Sequence, residues 1–297
     1  MIKLYFPAIN LYDTFECGQC FRWEQKGEKW AAVIDDEYVE VSKIDEYLII
    51  NSERPKEFWE EYFDYDYIIS ACPTSIERVI ESGQGIRILK QNPWETLISF
   101  IISQNNNIPR IKGIISRLCE NFGDVIARSE ATKQSSDLYT FPTPSQLINK
   151  DLSNIRAGFR EKYILAAAEK CAEMALVGDD AHIVPSSKDN LIRANPRHPR
   201  SNIPFLDAIA HLPTAELRQE LMQIKGVGKK IADCVMLFAY HRLDVFPQDV
   251  WIIRIMKEQF GIEEKDIDEF AKTNFDNHAG YIQQYLYHYY RNVNPKS

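Results

Sequence analysis

Asp249 lies nineteen residues beyond Lys230, which puts an amine and a carboxylate at the starts of two successive apolar helical runs. A neutral lysine amine attacks electrophilic carbon and holds it as an imine, and a fixed carboxylate stabilises positive charge developing there. A protonated lysine is a poor nucleophile, so Lys230 in such a role should be partly desolvated or beside another cation. Asp249 follows Pro247 in "VFPQDVWIIRI" and is placed to cap the next helix, accepting from its free N–H groups. A plain cap also explains that residue, and cap and catalyst are compatible.

Lys230 itself lies in "QIKGVGKKIADC", residues 223–234, where Gly226-Val227-Gly228 joins the amphipathic run 215–224 to a second helix. Glycine permits the tight turn and close backbone approach, and the first N–H groups of the following helix point outward with its positive dipole end. Gly226 and Gly228 are therefore candidate phosphate contacts, with Lys229 either a third or an exposed surface charge. Taken alone, the turn reads as a plain helical hairpin before it reads as a phosphate site.

The elements that must position these residues give an α+β chain. "CFRW", "KWAAVI", "EYVEVS" and "EYLIIN" between residues 20 and 51 predict an antiparallel meander broken at "KGEK" and "DDE". From about residue 55 the period is helical, first in "ERPKEFWEEYFDYDYIISA" and then in "PWETLISFIISQ", where Pro93 suits a first turn. Further helices are predicted over 109–121, 143–151, 160–175, 214–224, 229–241, 250–260 and 277–291. Polar connections fill 127–140 and 177–203; the second reads as a long loop whose Arg193, Arg197 and Arg200 could touch DNA or face solvent. The expected division is a β-rich domain over residues 1–85 packed on a mainly helical body over 86–297, with a helix-hairpin-helix at about 214–241.

Charge divides at the same boundary. The whole chain carries −8, yet residues 1–85 hold 8 Lys+Arg against 18 Asp+Glu, and the remainder holds 27 against 25. Screening over about 8 Å lets a local basic patch bind phosphate beneath a negative total. The six cysteines (17, 20, 72, 119, 171 and 234) are scattered, so free thiols are expected. Cys17-x-x-Cys20 lacks the further ligands a zinc site needs, and no cysteine quartet for an iron–sulfur cluster follows residue 234. No apolar run approaches membrane-spanning length and the start lacks a secretory core, so the chain is expected inside the cell, cytoplasmic and nucleoid-associated if prokaryotic.

Gly226-Val227-Gly228, Lys230 and Pro247-x-Asp249, in this order and spacing, resemble the helix-hairpin-helix Gly/Pro-Asp motif of DNA base-excision glycosylases; lysine here marks the bifunctional branch, which removes a base and cuts the strand. "GQCFRW" (18–23), "SQNNNIPRI" (103–111), "GFREKY" (158–163) and "AGYIQQYLY" (279–287) resemble segments of the 8-oxoguanine DNA glycosylases, over nearly the whole length except 177–203. The resemblance implies a monomeric enzyme acting on double-stranded DNA containing 8-oxoguanine, through a Schiff base and β-elimination. It implies no diffusible cofactor, metal or iron–sulfur cluster; whether the hairpin carbonyls hold a monovalent cation stays open.

By the same resemblance Lys230 is the nucleophile and Asp249 its electrostatic partner. Gly18, Cys234, Phe238, Gln283 and Tyr287 hold the damaged base, with the Gly18 carbonyl accepting from the N7–H that guanine lacks. Asn105 fills the place of the rotated base, Arg110 and Arg160 read the widowed cytosine, and Phe159 is the wedge. Four positions depart from the family: Phe159 replaces a tyrosine, Tyr287 a phenylalanine, Phe238 a smaller flexible residue and Trp251 a histidine. They bear on base selectivity more than on catalysis. Two other readings stand beside this one: a monofunctional alkylpurine DNA glycosylase, which uses Asp with water and needs no lysine, and a non-catalytic DNA-binding module using the hairpin as a phosphate clamp.

Overall fold

A computed structural model describes residues 1–69, 76–126, 138–176 and 203–293. Cys72 and the polar segment 177–202, with its three arginines, lie outside the described residues.

The N-terminal part is a five-stranded antiparallel sheet of β1 (Ile2–Tyr5), β2 (Glu24–Lys26), β3 (Lys29–Ile34), β4 (Glu37–Ile44) and β5 (Tyr47–Asn51), in the order β1-β5-β4-β3-β2. Three two-residue hairpins set its register, and each opens on a left-handed residue, Gly27 (φ +65°), Asp35 (φ +53°) or Asp45 (φ +53°). Cross-strand pairing then aligns Trp30, Val41 and Ile50 on one buried face.

"CFRW" is not a strand; β2 begins only at Glu24. Its side chains diverge instead of alternating. Trp23 stacks on Phe15 with centroids 4.3 Å apart and donates to the Tyr62 hydroxyl at 2.9 Å. Arg22 pairs with Glu95 at 3.1 Å, and Phe21 packs into the helical body. β1, absent from the predicted meander, completes the sheet by pairing with β5.

The helices are α1 (Leu11–Glu16), α2 (Lys56–Tyr62), α3 (Glu77–Gly83), α4 (Pro93–Ser103), α5 (Ile108–Phe122), α6 (Pro144–Leu147) and α7 (Glu161–Leu176). They continue as α8 (Pro204–Ile209), α9 (Thr214–Met222), α10 (Lys229–Phe238), α11 (Val250–Phe260), α12 (Ile267–Phe275) and α13 (Ala279–Val293). Pro93 opens α4 behind an Asn92 cap that accepts from Trp94 and Glu95 N–H. The helix predicted to residue 151 stops at Leu147, because Asn149 turns left-handed (φ +59°) and Asp151 accepts from Ser153 N–H. α2 likewise ends early, before a left-handed Asp64 (φ +46°).

One apolar core joins the sheet to α1 and α2; a larger one runs through α4, α5, α7, α9, α10, α11 and α13. The two interlock. Cys17 and Phe21 enter the body's core, as do Ile76 and Val79, from the α3 segment, while Leu89 enters the sheet's. α3 packs so closely on α13 that a Cβ at Gly83 would lie 2.3 Å from the Tyr285 ring.

Candidate active site

α9 and α10 form the helical hairpin around Gly226-Val227-Gly228. Gly226 is left-handed (φ +92°), and a Cβ there would stand 2.4 Å from the Tyr163 ring, so both conformation and space demand glycine. A Cβ at Gly228 would meet nothing within 4 Å, which leaves the backbone at the start of α10 open to approach.

Lys230 is the second residue of α10. It shares one helix face with Cys234 and Phe238, at intervals of four, and all three line a cleft of about 650 Å³. The half-buried Lys230 ammonium lies 5.1 Å from the centroid of Phe100 on α4, and Phe100 stacks on Phe238 with centroids 5.5 Å apart. Burial pushes the Cys234 thiol up to about 11, with Lys230 beside it pulling the other way. Asp249 faces the same cleft between Pro247 and Trp251, capping α11 by accepting from Ile252 N–H at 2.8 Å.

The opposite wall comes from the chain's two ends. Gly18 is left-handed (φ +87°) and packs against Tyr287 and Ile108. Gln19, 1% exposed, fixes that turn: its amide donates to Thr14 and Arg87 carbonyls at 2.8 and 2.7 Å and accepts from Leu89 N–H at 2.8 Å. From α13, Gln284 donates to the Cys17 carbonyl at 2.9 Å. Gln283 beside it, 6% exposed, also lines the cleft, and its buried Oε1 has no hydrogen-bond partner among the described residues. Burial raises the Tyr287 phenol above its ordinary value.

Asn105 enters from the α4–α5 turn in left-handed conformation (φ +50°). Its neighbours are committed elsewhere, Asn106 donating to Ile102 O at 2.7 Å and Asn107 capping α5, whereas the Asn105 amide has no partner among the described residues. Gln104 reaches across to the Gly226 carbonyl at 3.4 Å, tying this turn to the hairpin.

The structure thus gathers Lys230, Asp249, Gly18, Cys234, Phe238, Gln283, Tyr287 and Asn105 around one cleft. Arg110, Phe159, Arg160, Gly226, Gly228 and Lys229 do not line it. Arg110 is exposed, and Phe159, half exposed, meets Tyr163 edge to face at 6.0 Å. Two of these side chains already have partners within the protein. Arg160 is only 4% exposed, and its guanidinium donates to the carbonyls of Gln104, Asn105 and Ala157, which holds the Asn105 turn. The Lys229 ammonium pairs with Asp268 at 2.9 Å and with Asp233 at 3.3 Å. Cys17, Phe100, Gln284 and Arg291 also line the cleft and escaped the sequence reading. Phe100 carries no signal of its own within an apolar helical run.

A sheet-backed helical body whose hairpin presents a lysine, and whose next helix is capped by an aspartate in the same cleft, defines a helix-hairpin-helix base-excision DNA repair protein. Residues 2–97 match the model of the 8-oxoguanine DNA glycosylase N-terminal domain, and residues 98–276 match that of the HhH-GPD superfamily base excision DNA repair proteins. The N-glycosylase/DNA lyase of Saccharomyces cerevisiae is 33% identical over 292 residues, covering 86% of this chain and 70% of the yeast protein. The 8-oxoguanine glycosylase/lyase of Clostridium acetobutylicum, solved with double-stranded DNA containing cytosine opposite 8-oxoG, is 30% identical with a TM-score of 0.79, covering 97% of this chain and 93% of that one. MBOgg1, solved with a low affinity DNA ligand, is 36% identical with a TM-score of 0.79, covering 97% and 94%. The chain belongs to the 8-oxoguanine DNA glycosylase branch of the HhH-GPD superfamily.

Proposed function

We propose that this protein excises 8-oxoguanine from duplex DNA and then cleaves the strand at the abasic sugar. One observation carries the reading: an amine, a fixed carboxylate and a buried, unpartnered amide oxygen share one cleft, as Lys230, Asp249 and Gln283. The duplex binds across the open start of α10, and the damaged nucleotide rotates into the cleft at a cost of a few kcal/mol. The Gln283 amide pairs with the Watson–Crick edge, which offers both donors and an acceptor. The Gly18 carbonyl accepts from N7–H, a bond undamaged guanine cannot make. Asn105 takes the vacated place in the stack and Arg110 faces the widowed cytosine. Arg160 joins Arg110 only on release from the Gln104 carbonyl, and the exposed Phe159 ring is the wedge.

In the chemical step neutral Lys230 Nζ attacks the sugar C1′, and the glycosidic electron pair leaves with the base, which takes up a proton. Asp249 stabilises the positive charge on the sugar meanwhile. The amine adduct opens the sugar ring to an iminium. Loss of a C2′ proton then sends electrons toward the iminium and expels the 3′ phosphate. No step calls for a diffusible cofactor. The monofunctional alkylpurine reading gives Lys230 no task, and no observation favours it.

The decisive experiment is borohydride trapping on a duplex with 8-oxoguanine opposite cytosine, comparing the wild type, Lys230→Gln and an undamaged duplex. A covalent adduct on the damaged duplex with the wild type alone is expected. Damage-dependent base release without any adduct overturns the lysine mechanism.

A further inference from the structure

Asp268, in the first turn of α12, lies outside the cleft, yet its carboxylate touches the neighbours of both reacting residues. Oδ1 accepts from Lys229 Nζ at 2.9 Å and from Gln248 Nε2 at 2.5 Å. Lys229 immediately precedes Lys230, and Gln248 immediately precedes Asp249.

The carboxylate hangs from a well-anchored helix. Ile267, Ala271 and Phe275 of α12 are 0%, 2% and 3% exposed, and Phe275 stacks at 5.9 Å on Phe246, two residues before Gln248. From the other side Lys229 lies 3.3 Å from Asp233, which receives Arg218 of α9 at 2.6 Å. Arg218, Asp233, Lys229, Asp268 and Gln248 therefore form one polar chain from the hairpin's first helix to the cap of α11.

We propose that Asp268 is a positioning residue: it straps the start of α10 to the start of α11 and so fixes the Lys230 amine relative to the Asp249 carboxylate. The proposal rests on the glycosylase and lyase reading. Its physical logic lies in rate, not in stability. The Lys229 and Asp268 side chains are 39% and 59% exposed, and ion pairs so exposed add little to global stability. Reacting groups, by contrast, lose rate steeply when their register slips. Asp268 also neutralises an ammonium beside the phosphate-facing turn, so its removal should not weaken duplex binding.

The test is single-turnover borohydride trapping on the 8-oxoguanine duplex with the full chain, titrating enzyme to separate maximal rate from half-saturating concentration. Asp268→Ala is expected to lower the maximal rate about tenfold, with half-saturation unchanged or tighter. Its thermal midpoint should stay within about 2 °C of wild type. Asp268→Asn keeps an acceptor for both partners and is expected to recover most of the rate. Gln248→Leu cuts the strap from the other side, and combined with Asp268→Ala it should add no further loss. A wild-type maximal rate in Asp268→Ala, a loss confined to half-saturation, or additive losses in the double variant overturns the strap. No adduct with the wild-type enzyme is a different result, since it removes the reaction itself and the strap with it.

Discussion

In the proposed function Gln283 and Asp249 separate base recognition from chemistry. A buried amide oxygen without a partner is costly until a ligand supplies the missing donor. Gln283→Ala should therefore lower kcat/KM on the 8-oxoguanine duplex by about 10- to 100-fold. Cleavage of a duplex that already carries an abasic site, where no base is read, should be unchanged; equal losses on both substrates would refute base recognition by this side chain. Asp249→Asn retains an acceptor for Ile252 N–H, so its thermal midpoint should hold while adduct formation collapses. Asp249→Ala should lose the same chemistry and also about 1 kcal/mol of stability as the cap is removed, read by chemical denaturation. At this scale the sequence made the shared placing of Lys230 and Asp249 legible, because lysine and aspartate announce themselves by type and by their places at two helix starts. Phe100 and Gln19 were not legible: one reads as core, the other as an ordinary polar residue, and only folding shows the first beneath Lys230 and the second behind Gly18. The anchoring of Arg160 was not legible, because nothing in "GFREKY" reveals that three backbone carbonyls await its guanidinium.

Among the elements, the hairpin is the least tolerant of change. Gly226→Ala combines a left-handed φ of +92° with a Cβ 2.4 Å from the Tyr163 ring. It should cost about 3 kcal/mol or more in a denaturant titration. Gly228→Ala, with nothing within 4 Å of the new Cβ, should be nearly neutral for stability but weaken duplex binding at the turn. Equal destabilisation by the two variants would contradict this account. α9, α10, α11 and α13 follow their predicted spans closely, since a 3.6-residue apolar period and caps such as Asp249 are local signals, whereas α12 was not predicted. The "CFRW" strand failed because its side chains serve two cores and an ion pair at once, an arrangement that local propensity does not encode. β1 was missed because its partner, β5, is more than forty residues distant in sequence.

The molecule as a whole joins an acidic sheet domain to a body carrying the basic hairpin, and buries its described thiols in the cores. Burial raises Cys17 and Cys171 to about 12, and Cys119 and Cys234 to about 11, from an ordinary 9.0. Above about pH 9 the unfolded chain releases these protons while the native state keeps them, so the native state binds more protons and stability falls as pH rises. Denaturant midpoints should drop between about pH 9 and about pH 11, and Cys171→Ala should flatten that slope. An unchanged slope would show that this thiol carries none of the effect. The cleft also has a temporal consequence. Gly18 and Gln283 line it together although 264 residues lie between them in sequence. During synthesis a nascent chain long enough to expose Lys230 and Asp249 already holds both side chains but lacks the α13 part of the wall. Docking of α13 therefore completes the base pocket, and in the proposed function the power to select a damaged base arrives after the rest of the fold.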